Sequence, residues 1–248
     1  DDRSRQLRSV DKFDKPVRTY DALQLTVIQR PTKKSLVQAS YTYSVSKGNY
    51  PGLFSTETGQ LDPNLTSLYD LPDLMANRYG NMGLDRPHNV KIDGFYLFDL
   101  KKAGLVTTGI SFRAISGIAH NALAAYPIYG DQESYLLPRG AIERSPVTFQ
   151  TDIHLSYGYQ VNKNTKIEGF LRVFNLLNAQ EELDIDEEYT LDSAIPIVGG
   201  DKADLDHVKI LDGNSQEANS TPFKNANFGK LNSRQSPRSA QLGFRVTF

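Results

Sequence analysis

Residues 147–161 read Val147-Thr148-Phe149-Gln150-Thr151-Asp152-Ile153-His154-Leu155-Ser156-Tyr157-Gly158-Tyr159-Gln160-Val161. In an extended chain, successive side chains point to opposite faces. Val147, Phe149, Thr151, Ile153, Leu155, Tyr157, Tyr159 and Val161 therefore share one side, and Thr148, Gln150, Asp152, His154, Ser156, Gly158 and Gln160 share the other. An alternation of period two held over so long a stretch argues for a strand with one apolar and one polar face, not for a helix. The same split separates Val37, Ala39, Tyr41, Tyr43 and Val45 from Gln38, Ser40, Thr42 and Ser44. It separates Val106, Thr108, Ile110 and Phe112 from Thr107, Gly109, Ser111 and Arg113, and Ala240, Leu242, Phe244, Val246 and Phe248 from Gln241, Gly243, Arg245 and Thr247.

Working outward from that stretch, the pattern predicts seven strands near 18–30, 35–47, 86–100, 104–117, 146–161, 165–177 and 237–248. Pro31 to Lys34, Lys101 to Ala103 and Asn162 to Asn164 are tight turns. The intervening joins, near 48–85, 118–145 and 178–236, are long and rich in Gly, Pro, Asn and Asp. In compact soluble domains, unstructured loops beyond about 12–15 residues are uncommon. A strict alternation of short and long joins is instead the habit of bacterial outer-membrane barrels, with short periplasmic turns and long extracellular loops. A periplasmic C-terminus puts all three short turns on the periplasmic side.

A soluble antiparallel sandwich also alternates, but three features oppose it. Soluble strands average about 5–6 residues, whereas a tilted membrane-spanning strand needs about 9–11. Aromatic residues gather toward strand ends (Tyr20, Tyr41, Tyr43, Tyr96, Phe98, Tyr157, Tyr159, Phe248), where interfacial girdles sit. Charges lie deep in the strands: Lys91, Asp93, Arg113, Asp152, Glu168 and Arg172. A dry sandwich core would not hold them, but a polar lumen would. The expected fold class is an all-β antiparallel transmembrane β-barrel segment.

Composition agrees. The 248 residues are 39% hydrophobic and 23% charged, with a formal net charge of -1, too balanced for a protein that grips nucleic-acid phosphates. Tyr (13) and Phe (12) are too plentiful for a disordered chain. No run of 18 or more apolar residues marks a membrane helix, and the negative mean hydropathy is neutral for a barrel, whose strands alternate. Cysteine is absent, which removes disulfides, thiolate zinc ligands and thiol nucleophiles. The chain opens on Asp1-Asp2-Arg3-Ser4-Arg5, which is no signal peptide.

Several segments carry a family resemblance. They are Arg18-Thr19-Tyr20-Asp21-Ala22-Leu23-Gln24-Leu25, Ala39-Ser40-Tyr41-Thr42-Tyr43-Ser44 and Asp85-Arg86-Pro87-His88-Asn89-Val90. Further along come Arg172-Val173-Phe174-Asn175-Leu176-Leu177-Asn178, then Phe228-Gly229, then the stretch from Pro237 to Phe248. In this order they resemble the C-terminal barrel region of TonB-dependent outer-membrane receptors, particularly the Oar-like group with a carboxypeptidase-regulatory-type domain. The resemblance implies a barrel of about 22 strands around a plug domain, a TonB-engaging N-terminal segment, and import of a scarce ligand such as a siderophore, glycan or peptide. The alternating last strand with its terminal Phe248 resembles the signal read by the barrel-assembly machinery. Seven strands leave two open edges, which lipid cannot satisfy. Residues 1–248 are therefore expected to be the C-terminal part of one barrel domain, the plug and the N-terminal strands belonging to a longer polypeptide. Residues 1–16 would then be the tail of another extracellular loop.

Chemistry is sparse. His88, His120, His154 and His207 are far apart without ligand spacing, and no H-E-x-x-H, G-x-S-x-G, P-loop or G-x-G-x-x-G occurs. The acidic residues from Glu181 to Asp206 could hold calcium but lack EF-hand spacing, and a solvated extracellular loop is the preferred reading. Asn64-Leu65-Thr66 and Asn219-Ser220-Thr221 match glycosylation acceptors, which mean little in a bacterium. No catalytic residue, metal or cofactor is expected. Tyr50, Phe54, Tyr69, Tyr79, Tyr126, Tyr129 and Tyr135 are the candidate ligand-binding residues of the long loops, since rings give contact area at low entropy cost. They serve equally well to pack the loops together. Arg113, Asp152, His154, Glu168 and Arg172 are expected to face the lumen and the plug.

The expected function is therefore an outer-membrane TonB-dependent receptor or transporter. Its partners would be lipid and lipopolysaccharide, the plug, TonB and the assembly machinery, with no nucleic acid. The alternative is a structural or adhesive surface barrel, or a protein-secretion conduit, working without TonB. A barrel-embedded hydrolase is disfavoured because the sequence shows no Ser/His/Asp arrangement.

Overall fold

The structure is a computed structural model that describes residues 13–54, 67, 69–212 and 216–248. The first twelve residues and the Asn64-Leu65-Thr66 acceptor lie outside these. Seven long strands form the main sheet: β1 (Arg18–Gln29), β2 (Ser35–Gly48), β3 (His88–Asp99), β4 (Leu105–Ile115), β5 (Thr148–Gln160), β6 (Lys166–Phe174) and β7 (Ser239–Thr247). Each pairs antiparallel with its neighbours in chain order, and Gly80–Asn81 adds a short rung to β2. The seven expected strands are all present, each within a few residues of its expected bounds. Among the described residues no helix is long and apolar enough to cross a membrane, which says nothing of crossing by strands.

Register carries the alternation of single strands across the whole sheet. Directly paired residues share a face, so Val37, Gly94, Ile110, Ile153, Val173 and Ala240 form one continuous apolar row. The adjacent row, Leu36, Phe95, Gly109, His154, Arg172 and Gln241, belongs to the other face. A slip of one residue in any pairing would turn a whole strand inside out. No such slip interrupts these ladders. The apolar face is bare: Ile110 is 53% exposed, Leu242 72% and Phe244 77%. An apolar patch of this extent needs a nonpolar medium or a partner to cover it.

The three tight connections lie at one end. Asn162 Oδ1 accepts from the backbone N–H groups of Asn164 and Thr165, both at 2.9 Å, which closes the last hairpin. Gly104 turns the second at φ 105°, where a Cβ would meet the Gly158 carbonyl at 2.5 Å. Thr247 pairs with Lys166, so the chain also ends here.

The three long connections gather at the opposite end, and the described residues of the second and third are not irregular. Ala119–His120 pairs with Ile142–Arg144, and Glu182–Ile185 pairs with Leu231–Arg234. Leu123–Tyr126 lies between Gly130–Tyr135, antiparallel, and Glu188–Ser193, parallel. The buried apolar residues collect here and not in the sheet: Ala122, Ala124, Leu136, Leu137, Ile142, Tyr189, Ala194, Leu205 and Val208, with Ile185, Ile197 and Phe228 packed against them. The acidic stretch expected as a solvated loop thus supplies two strands and part of a core. The physical reason is that the second and third connections bury one another's apolar residues, a saving neither could make alone.

Candidate functional site

Two surfaces present chemistry, the polar face of the sheet and the folded cap above it. On the sheet, all five residues expected in the lumen share the polar face. His154 pairs with Gly109 on β4 and with Arg172 on β6, and Gln150 pairs with Arg113. Arg113 Nη2 donates to both Asp93 carboxylate oxygens, at 2.8 and 2.9 Å, and Ser111 Oγ donates to the same carboxylate at 2.9 Å. Asp152 accepts from the Asn175 backbone N–H at 2.8 Å and from Gln150, so it also anchors the end of β6. Glu168 pairs with Lys166 at 3.3 Å, and the Arg172 guanidinium lies 5.0 Å above the Phe170 ring. His154 Nδ1 is shielded and has no hydrogen-bond partner among the described residues. A groove lined by Gln38, Asp93, Ser111, Asp152, His154 and Arg172 runs along this face.

In the cap the expected tyrosines divide. Tyr50 meets Tyr69 edge-on at 6.2 Å, and Phe13 joins them 6.1 Å from Tyr69. Burial, then the charge of Asp14, then Tyr50 hold the Tyr69 phenol above its ordinary pKa. Tyr126 and Tyr129 stack at 6.2 Å, and Tyr129 donates to Asp70 Oδ2 at 2.9 Å, tying the second connection to the first. Tyr79 and Phe54 are exposed, and Tyr79 borders a hollow of about 590 Å³ shared with Phe13, Asp73 and Asn77. Tyr135 is different and corrects the expectation for that residue. It is 2% exposed, with Arg78 4.8 Å and Arg139 5.0 Å from its ring centre. It packs the cap and offers no face to a ligand.

Two of the segments that carry the family resemblance turn out to be joints. Asp85 is 2% exposed; it accepts from the Ser46 N–H at 2.6 Å and pairs with Arg144, which also reaches the Asp85 and Gly117 carbonyls. His88 follows, its N–H on Ser116 Oγ and its Nδ1 2.8 Å from the Tyr41 hydroxyl. Asn175 and Asn178 take positive φ, 50° and 53°, which asparagine tolerates better than most residues. Asn175 bonds the Ala179 and Ser236 carbonyls, and Asn178 Oδ1 accepts from the Arg238 N–H.

Over 244 residues, 96% of its length, the chain is 38% identical to the C-terminal part of the TonB-dependent transporter Oar of Myxococcus xanthus. This similarity supports reading the chain as a portion of a TonB-dependent receptor barrel. The chain spans 23% of that relative's length. No family model and no solved structure matches it.

In this receptor barrel, sequence reasoning missed one constellation. His120, 1% exposed, has Nδ1 2.8 Å from Glu187 Oε1 and Nε2 2.6 Å from Ser145 Oγ. The sequence shows no Ser/His/acid order because the three come from separate segments, Ala119–His120, Ile142–Ser145 and the third connection. Ser145 is itself buried and donates to the Leu183 carbonyl at 3.1 Å, so its hydroxyl is tied down inside the cap and is not presented as a nucleophile.

Proposed function

We propose that residues 1–248 are the C-terminal part of one outer-membrane barrel domain that, with a plug and further strands of the same polypeptide, imports a scarce ligand under TonB control. One observation carries this reading: seven strands in unbroken register hold an apolar face on one side and a charged face on the other. Lipid would cover the first, and the second would line a lumen. On this reading Arg113, Asp152, His154, Glu168 and Arg172 dock the plug, and Phe248, 95% exposed just past β7, marks the closing strand for the assembly machinery. Ligand would meet the cap at Tyr50, Phe54, Tyr69, Tyr79, Tyr126 and Tyr129. The hollow beside Tyr79 has the volume of ordinary ligand pockets, about 300–1,000 Å³. The segment performs no covalent chemistry; its part is to hold a wall and a gate-side surface.

The topology test uses the absence of native cysteine. In intact cells a membrane-impermeant maleimide labels Ile128→Cys, on the cap, and leaves Lys163→Cys, in a tight turn, unlabelled until the outer membrane is opened. The reverse pattern, or equal labelling, overturns the orientation. The full-length receptor should also co-purify with the periplasmic domain of TonB; failure to do so favours a conduit that works without it.

A further inference from the structure

His120 lies where the second and third connections meet, with two carboxylates beside one of its ring nitrogens. The Ser145 hydroxyl has a single hydrogen, given to the Leu183 carbonyl at 3.1 Å. With the hydroxyl so placed, Nε2 donates to the Ser145 oxygen at 2.6 Å; in the other tautomer Ser145 donates to Nε2 and Nδ1–H donates to Glu187. The first tautomer leaves Nδ1 facing a Glu187 carboxylate oxygen at 2.8 Å and an Asp184 oxygen at 3.9 Å. A bare nitrogen lone pair against two carboxylates is repulsive. In the first tautomer the lone pair and the two carboxylates face one another as the ligands of a cation do.

We propose that His120 Nδ1, Glu187 and Asp184 bind a zinc-class divalent cation that clamps the second connection of the cap to the third. The three ligand atoms lie within 4.8 Å of one another. Zinc bonds of about 2.0–2.2 Å to nitrogen and oxygen put tetrahedral ligand atoms about 3.4 Å apart, and the observed 2.8 and 3.9 Å bracket that spacing. The surroundings suit a metal. The nitrogen of a ligating histidine that faces away from the ion usually donates to a fixed acceptor, as Nε2 does to Ser145. Asn121 Nδ2 donates to Glu187 Oε2 at 2.7 Å, turning the carboxylate toward the ring. His120 is enclosed, whereas the Asp184 side chain is 42% exposed, which gives the ion a way in and leaves a position for water. Imidazole nitrogen selects for zinc, copper, iron or nickel over calcium and magnesium, which prefer oxygen alone. The site therefore differs in kind from a calcium-binding acidic loop.

The test uses the intact receptor in detergent, stripped with chelator and then dialysed against zinc. Wild type should retain about one more zinc per chain than Asp184→Asn, whose affinity in chelator competition should fall by about tenfold or more. Asp184→Asn alters an exposed side chain, and heat-modifiable gel mobility verifies that its barrel is folded. Zinc absorption spectroscopy of wild type should show one imidazole nitrogen that is missing in His120→Ala, and millimolar calcium should not displace the metal. Equal zinc in wild type and Asp184→Asn, or displacement by calcium, overturns the proposal.

Discussion

At the scale of single residues, the polar contacts with most consequence sit at the joints between sheet and cap. Asp85 is buried with an arginine and a backbone N–H as partners. Asp85→Ala should cost about 1.5–3 kcal/mol, the usual range for hydrogen bonds to a charged group, read as a lower unfolding midpoint in denaturant. Tyr135→Ala leaves a cavity and removes the ring between two guanidinium groups, a loss of about 3–5 kcal/mol, while labelling of the barrel turns stays unchanged. Tyr129 allows a pH prediction. The hydrogen bond to Asp70 comes first, then burial, then the charges of Asp70 and Glu133, and together they raise its pKa above the ordinary 10.0. The folded state thus holds that proton more tightly than the unfolded one, so the Tyr129–Asp70 tie is complete below pH 10 and is lost as pH rises through the raised value. Phenolate absorbance should show Tyr129 titrating at lower pH in Asp70→Asn; no change would mean the bond does not form.

At the scale of elements, the seven strands make the sharpest prediction. Ile110 stands mid-strand on the bare face. Ile110→Arg should destabilise the inserted barrel by about 2–4 kcal/mol, the cost of a cation at the bilayer midplane. Thr107→Lys, on the opposite face of the same strand, should cost far less. Equal effects in a refolding titration would mean that the two faces do not see different media. The strands were legible in the sequence because each carries its own signal: residues 147–161 declare two faces without help from any neighbour. The short strands of the cap were not. Ala119–His120 and Leu123–Tyr126 are too brief to show a period, their registers shift, and their partners lie in other connections. Tyr135 and His120 were opaque for the same reason. A tyrosine in a polar loop reads alike whether it packs inward or faces out, and His120 finds Glu187 only through the parallel pairing that aligns Leu123 with Glu188.

At the scale of the whole molecule, the chain is a wall with a clasp above it. Asn77 fastens the clasp: its amide donates to the Tyr135, Leu136 and Ile197 carbonyls at 3.0–3.2 Å and accepts from the Gly199 N–H at 3.1 Å. Asn77→Asp keeps a side chain tolerant of its φ of 59° but discards the donors. The expected result is faster protease cutting within 116–147 and 175–238 while the strands stay protected. Cleavage at the wild-type rate would show that the amide carries no weight. The same asparagine joins segments far apart in the chain. It emerges with the first connection, yet two of its four partners come 120 and 122 residues later. The cap therefore cannot be fastened at this point until residues 197–199 are in place. Its closure reports that the first and third connections have met, while the last strand, Ser239–Thr247, lies further still along the chain.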